Sequence, residues 1–302
     1  MSDNSSSKSS IGIIAGLLGA VCFGFIPVFG KPALEIGLSP MCILVYRFSL
    51  ATIILGIFLK IRRVKLGIAL RDMPVMLLLA IFYCISGGCL MMGYEYMSGG
   101  VTGVIHFSYP VFVLLILLLF FRERVRLSSA IAIVIAIAGI YCLGVLGGDA
   151  AFIPGANRTQ GVLIVVLSGV GYAAYLVSLG KGRAQRFDSL YLTFWVLVFT
   201  SLIFIALAAV NGELVLVSHT ETLLNFAALA LIATVVANVL VVYAVKTVGS
   251  TLESILSAME PATSVVMCII LFDEKLNLPI AIGILLIFVA VGIVVCSKRD
   301  NA

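Results

Sequence analysis

The sequence predicts an all-α integral membrane protein of ten transmembrane helices, arranged as two inverted five-helix repeats. Three observations carry this. Hydrophobic residues fill 62% of the 302 positions and charged residues only 11%, against roughly 25% charged in an ordinary soluble domain, so a water-soluble fold could not hide the apolar surface. The apolar residues form ten runs, mostly about 20 residues long, and at about 1.5 Å of rise per residue each matches a hydrocarbon core about 30 Å thick. The chain also repeats itself: Ser108-Tyr109-Pro110 followed by Phe121-Arg122-Glu123-Arg124 returns 151 residues later as Met259-Glu260-Pro261 followed by Phe272-Asp273-Glu274-Lys275.

The ten runs cover residues 11–30, 38–59, 73–95, 99–120, 127–147, 161–180, 189–210, 222–245, 251–271 and 278–296. Before them lies a Ser-rich tail, residues 1–10, read as disordered. The first run lacks a small-residue cleavage site and continues through Pro27 into Gly30-Lys31-Pro32, so it is expected to stay as the first span. Residues 11–147 make the first repeat, 148–160 an external linker, 161–296 the second repeat, and 297–302 a closing tail. Gly30-Lys31 and Gly180-Lys181 each close a Gly- and aromatic-bearing run near the start of a half. Duplicated hydropathy of this kind points toward secondary transport, although channels and membrane enzymes are duplicated too.

Orientation follows from Lys and Arg in alternating connections. With the N-terminus inside, fifteen fall on the cytoplasmic side, among them Lys60, Arg62, Arg63, Lys65, Arg71, Arg122, Arg124, Arg126, Lys181, Arg183 and Arg186; the other side receives only Lys31, Arg158 and Lys275. Both termini are therefore expected in the cytoplasm of a multi-pass protein. Five spans per half is an odd number, which turns the second half upside down. The net charge of +5 is explained by anchoring on an anionic leaflet and implies no nucleic acid. Partners are the lipid bilayer and a small solute.

Polar residues inside the spans carry the functional reading, because a lipid-facing polar group is costly at that depth. Glu253, Ser257, Glu260 and Ser264 recur at three- and four-residue spacing and share one helical face. Glu260 precedes Pro261, whose missing N–H frees a carbonyl and kinks the helix; Tyr109-Pro110 repeats the device with His106 one turn earlier, and Pro27 is a third kink candidate. An imidazole with an unperturbed pKa near ~6.5 can titrate in a transport cycle, while hydrogen bonding across helices is an equal use for His106. Arg47, in Tyr46-Arg47-Phe48, places a fixed positive charge deep in an apolar run. Glu95, in Gly93-Tyr94-Glu95-Tyr96, is placed at a cavity mouth. Tyr109 and Tyr172 are the better cavity candidates among the tyrosines, with Tyr94 and Tyr175 beside them; Trp195, Tyr191 and Tyr141 suit packing or the interface.

Other features have structural readings. Gly12, Gly16 and Gly19 form a small-residue packing face. All seven cysteines lie in spans without zinc spacing. Arg122 with Glu123, and Asp273 with Glu274 and Lys275, read as ion pairs at opposite membrane surfaces. Asn157-Arg158-Thr159 fits the bare glycosylation acceptor pattern. No H-E-x-x-H or nucleotide-phosphate motif occurs, so an enzyme, a metal or a bound cofactor is not expected; the one cosubstrate considered is a proton gradient.

Ten spans, internal inversion, Arg47-Phe48 in the second helix and Pro-entered helices ending in Glu-basic clusters together resemble the drug/metabolite transporter superfamily, specifically its EamA-type members, over residues 11–296. The resemblance implies an inner-membrane carrier that moves a small metabolite, such as an amino acid or a related amphipathic solute, often outward and without ATP hydrolysis. It implies helix-end interactions for Arg47-Phe48, Glu123 and Glu274 more than substrate contact. The Glu-Pro feature is present only as Glu260-Pro261, its counterpart being Tyr109-Pro110. A channel or uncoupled facilitator for small solutes is the alternative, using the same polar helix face.

Overall fold

In a computed structural model of the chain, residues 2–122, 151–257 and 259–299 are described, with scattered positions between 131 and 148. Most of the expected fifth span, together with Glu123, Arg124 and Arg126, lies outside the described residues. The described chain is helical, with connections that include the longer loops 62–72 and 211–219 and an isolated bridge between Met97 and Phe152: α1 (Ser2–Gly24), α2 (Ile26–Glu35), α3 (Pro40–Ile61), α4 (Met73–Gly93), α5 (Gly99–His106), α6 (Tyr109–Phe121), α7 (Arg158–Lys181), α8 (Ser189–Val210), α9 (Thr220–Ala230), α10 (Ala237–Leu256), α11 (Met259–Phe272) and α12 (Leu278–Arg299). Among these residues eight stretches are long and apolar enough to cross a membrane, and Leu278–Ala290 is a shorter apolar helix. The eight coincide with eight of the ten expected runs, so the protein is a multi-pass integral membrane protein.

Helix starts are written locally. The side chains of Ser39, Ser98, Asn157, Asp188 and Asn277 each accept a hydrogen bond from a backbone N–H two or three residues ahead, satisfying donors that a helix N-terminus leaves open. Asn157 is thus the cap of α7, a use the glycosylation pattern did not suggest. The tail expected to be disordered instead continues α1 back to Ser2. Once the apolar segment has formed the helical nucleus, each added residue costs one dihedral pair and gains one bond.

Small residues let the bundle close. An added methyl group on Gly12, Gly16 or Gly19 would collide with Thr247, Leu256 or Val241 of α10, so the predicted packing face of α1 lies on α10. In lipid no hydrophobic gain separates helix–helix from helix–tail contact, and close backbone approach with van der Waals packing is what holds such a pair.

Among the described residues helix breaks fall at Phe25 between α1 and α2, at Phe107–Ser108 between α5 and α6, at Gly249 with φ +86° within α10, and at Ser257 between α10 and α11. Pro27, Pro110 and Pro261 each follow a break within the first turn of the next helix, where a missing N–H costs nothing. The Glu253–Ser264 stripe is consequently divided between two helices rather than carried on one continuous face. Broken backbone at membrane depth is tolerated only where it is buried in protein or lines a cavity.

Candidate functional site

Arg47 sits on α3 with its side chain fully enclosed. Its Nε donates to Thr234 Oγ1 at 2.8 Å and a terminal nitrogen donates to the Ala233 carbonyl at 3.1 Å. Both acceptors belong to a π-helical turn, Leu231–Val236. The wider winding removes the usual i→i−4 partner and frees a carbonyl for the guanidinium. Asn238, next along the same helix, donates to Tyr83 Oη at 2.6 Å and to the Thr234 carbonyl at 2.7 Å. A permanent charge is thereby held inside an apolar bundle by two acceptors of one π-helical turn, and Asn238 braces that turn against Tyr83 of α4.

Two carboxylates and an imidazole lie nearby. His106 closes α5 and Glu260 opens α11; their Nε2 and Oε1 atoms are 4.0 Å apart. On its other side His106 Nδ1 lies 2.8 Å from Ser168 Oγ, which also lies 2.8 Å from the Ser86 carbonyl. Glu253, near the end of α10, accepts a 2.7 Å hydrogen bond from Ser257. All of these side chains are buried. The Oε2 atoms of Glu253 and Glu260 and the Tyr172 hydroxyl have no hydrogen-bond partner among the described residues. Such orphaned groups are expensive unless another state of the protein uses them.

Aromatic rings wall the cluster. Tyr109 and Tyr172 meet edge to face with centroids 4.7 Å apart, and His106 lies 5.5 Å from each. Tyr175 continues the series to Tyr83 at 5.1 Å. Between them is a cavity of about 20 Å³, bordered by Arg47, Tyr83, His106, Tyr172 and Glu260. That is room for about one water molecule, so an organic solute enters only after helices part.

The structure brings together Arg47, His106, Tyr109, Tyr172, Tyr175, Glu253, Ser257 and Glu260. Tyr94 is buried beside them and interacts electrostatically with Arg47 and Glu260. Glu95 is not part of the cluster: its side chain is exposed just beyond α4, where partial burial and the Glu213 carboxylate push its carboxyl up from the ordinary value. Ser264 packs against Gly103 of α5 instead of reaching the cavity. Sequence reasoning missed Ser86, Ser168, Thr234 and Asn238. Asn238 and Ser168 carried a signal, since each is a polar residue inside an apolar run; the Ser86 contribution is a backbone carbonyl and carried none.

One further cluster ties an end of the bundle. Glu274, just past α11, accepts from Gly99 N at 2.6 Å, Gly100 N at 3.0 Å and Lys31 Nζ at 2.9 Å. The carboxylate therefore caps α5, where the helix dipole favours negative charge, and pairs with α2. Lys31 Nζ also lies 4.7 Å from the Phe272 ring centroid, and Lys181 Nζ lies 6.0 Å from that of Phe121. Lys31 and Lys181, like Phe272 and Phe121, stand at the matching places noted in the sequence.

Comparison with known proteins adds three findings. Residues 10–145 and 159–296 each match the family described as EamA-like transporter family. An uncharacterized transporter of Archaeoglobus fulgidus is 28% identical over 52% of this chain and 52% of its own length, and the uncharacterized transporter YcxC of Bacillus subtilis is 27% identical over 66% of this chain and 62% of its own. The chain thus spans between half and two thirds of these relatives; the uncharacterized transporter YcbK of Bacillus subtilis is matched over 90% of its length at 24% identity. A solved crystal structure superposes with a TM-score of 0.68 over 98% of this chain and 99% of that one, at 16% identity, a likeness of fold alone.

Proposed function

The chain belongs to the EamA-like transporter family, within the drug/metabolite transporter superfamily, and from that premise we propose that it is a secondary carrier of a small amphipathic organic solute, such as an amino acid or a relative. It works by alternating access, exporting the solute, with proton exchange at Glu260 or Glu253 coupling transport to the gradient. The observation that carries this reading is the buried cluster of Arg47, His106, Glu253 and Glu260, one cation, one imidazole and two carboxyl groups sealed in an apolar helical membrane protein. Ionisable groups at such depth are retained for pathways and relays.

Two oppositely directed five-helix repeats, residues 11–147 and 161–296, are the proposed moving parts. Support comes from the double family match and from the equivalent pairs Lys31–Phe272 and Lys181–Phe121. Arg47, His106 and Tyr109 come from the first segment and Tyr172, Glu253 and Glu260 from the second, so rocking one against the other would rebuild the cluster. Residues 148–160 are the external linker, and the termini, 1–10 and 297–302, lie in the cytoplasm of an inner-membrane protein. The cavity of about 20 Å³ fits an occluded carrier better than an open conduit.

Counterflow in proteoliposomes with pooled labelled metabolites tests the carrier reading: saturable exchange is expected, and single-channel conductance without exchange would sink it. Gradient-driven uptake by Glu260→Gln that equals wild type would remove Glu260 from the proton role.

A further inference from the structure

Ser168 has one hydroxyl hydrogen and two neighbours that want it. A carbonyl oxygen only accepts, so the hydrogen is committed to Ser86 at 2.8 Å, and the 2.8 Å contact with His106 is a hydrogen bond only if Nδ1 donates and Ser168 Oγ accepts. The tautomer of His106 is thereby assigned by its neighbours rather than by a visible hydrogen. With the hydrogen on Nδ1, the Nε2 of a neutral ring is a bare acceptor. It faces Glu260 Oε1. Were that carboxylate ionised and the ring neutral, two acceptors would oppose each other inside the bundle, which no desolvated site tolerates cheaply. A single proton removes the conflict, whether it rests on the carboxyl and is donated to Nε2 or rests on Nε2 and is donated to the carboxylate.

We propose that His106 Nε2 and Glu260 Oε1 form one proton-binding site, with Ser168 and the Ser86 carbonyl as positioning groups, and that the proton held there is the coupling ion of transport. The second half rests on the carrier reading above. It also supplies a mechanical link, because His106 ends α5 and Glu260 begins α11, in different family-matched segments. Their 4.0 Å separation exceeds a charge-assisted hydrogen bond of about 2.8 Å by about 1.2 Å, so loading the proton draws the two segments together and releasing it to water lets them part. Among the described residues the other charged or titratable groups interacting with Glu260 are Arg47 of α3, Tyr83 of α4, Tyr94 beyond it, Tyr109 of α6, Tyr172 of α7 and Glu253 of α10. Arg47 supplies a fixed positive charge beside the pair, and Glu253 is a second buried carboxyl. One proton more or less therefore changes the net charge of an enclosed site, which is the property a coupling ion needs.

The chain has two histidines, His106 and the exposed His219, so nitrogen-15 labelling of histidine resolves the site in full-length protein in nanodiscs. Long-range nitrogen–proton correlations are expected to show His106 carrying a hydrogen on Nδ1, with a change in the Nε2 signal on Glu260→Gln and tautomer mixing on Ser168→Ala. A wild-type ring with the hydrogen on Nε2 and a bare Nδ1 overturns the site without any variant. For coupling, a gradient of one pH unit drives up to about tenfold solute accumulation at one proton per solute. In proteoliposomes with a pool of radiolabelled amino acids, the steady-state accumulation reached by His106→Gln, read against that variant's own counterflow rate, is expected to fall to about onefold. Wild-type accumulation in that variant overturns the coupling role and leaves the carrier standing. Absence of counterflow from the wild type overturns the carrier reading and the coupling role together, while the nitrogen signals still decide the proton site.

Discussion

Replacing Glu274 with Gln removes one charge and changes no volume, so its effect can be worked out bond by bond. The carboxylate serves Gly99 N, Gly100 N and Lys31 Nζ. An amide keeps one acceptor oxygen and turns an NH₂ toward whichever N–H it fails to serve, so one charge-assisted bond is lost at a cost of about 1.5–3 kcal/mol. The pair with Lys31 adds up to about 1 kcal/mol, both side chains being only 12–13% exposed. The sum is about 3 kcal/mol, or about 150-fold in the equilibrium between the tied and untied arrangements. Cys268 reports it, because this buried thiol lies where an added methyl group on Gly99 would sit 2.8 Å from its Sγ. N-ethylmaleimide labelling of detergent-solubilised protein, localised by peptide mass spectrometry, is expected to speed up at Cys268 by up to about 100-fold when opening is in rapid equilibrium. Lys31→Met should give a much smaller effect, since the two backbone donors still face a carboxylate. A Cys268 rate within about twofold of wild type in Glu274→Gln would refute the reasoning.

Arg47→Ala strands the Thr234 and Ala233 acceptors and removes the cation beside Glu260; a loss of about 3–5 kcal/mol is expected, read as a lowered melting temperature in detergent, with Arg47→Lys recovering only part because it lacks the forked donors. Gly24→Ala would place a methyl carbon 2.5 Å from Thr263 Cβ and 2.7 Å from the Glu260 carbonyl oxygen, so overpacking of about 1–3 kcal/mol should exceed the helix propensity gain of about 1 kcal/mol and lower the same melting temperature. At Glu95 the folded carboxyl is raised by partial burial and by Glu213, so the folded state holds its proton more firmly and wild-type stability falls as pH rises through that shifted range. Glu95→Gln should therefore melt slightly higher than wild type at pH 7 and equal to it in acid; the reverse order would show that the two carboxylates do not repel.

Much of the fold was legible because lipid imposes simple rules. Run length set the eight spans that the described residues show, the glycines of α1 set a packing face, and Pro27, Pro110 and Pro261 marked breaks that the structure places beside each of them. Glu253, Ser257 and Glu260 could be grouped because three- and four-residue spacing survives a local break as a shared direction. What the sequence could not disclose were pairings between remote segments. Nothing near Arg47 announces that its partners are 186 and 187 residues away, and the π-helical turn that offers them has no composition signal. Ser168 and Asn238 were overlooked because single hydroxyls and amides in apolar runs are common packing elements, and only the partners His106 and Tyr83 give them meaning. Glu274 was expected to pair with its neighbour Lys275, but the structure pairs it with Lys31 of α2, and its use as a cap for Gly99 and Gly100 likewise depends on folding that brings residues 175 positions apart into contact. The tail before residue 11 was misread because polar composition hides the ease with which an existing helix extends.

The π-helical turn at Leu231–Val236 amounts to one surplus residue wound between α9 and the first turns of α10. Excising a single position there would restore ordinary winding and rotate everything beyond it by about 100°, swinging Asn238 away from Tyr83 and turning the α10 surface that receives Gly12, Gly16 and Gly19. The guanidinium anchor and the seating of the first helix thus share one setting, and neither can be re-tuned by deletion without dislodging the other.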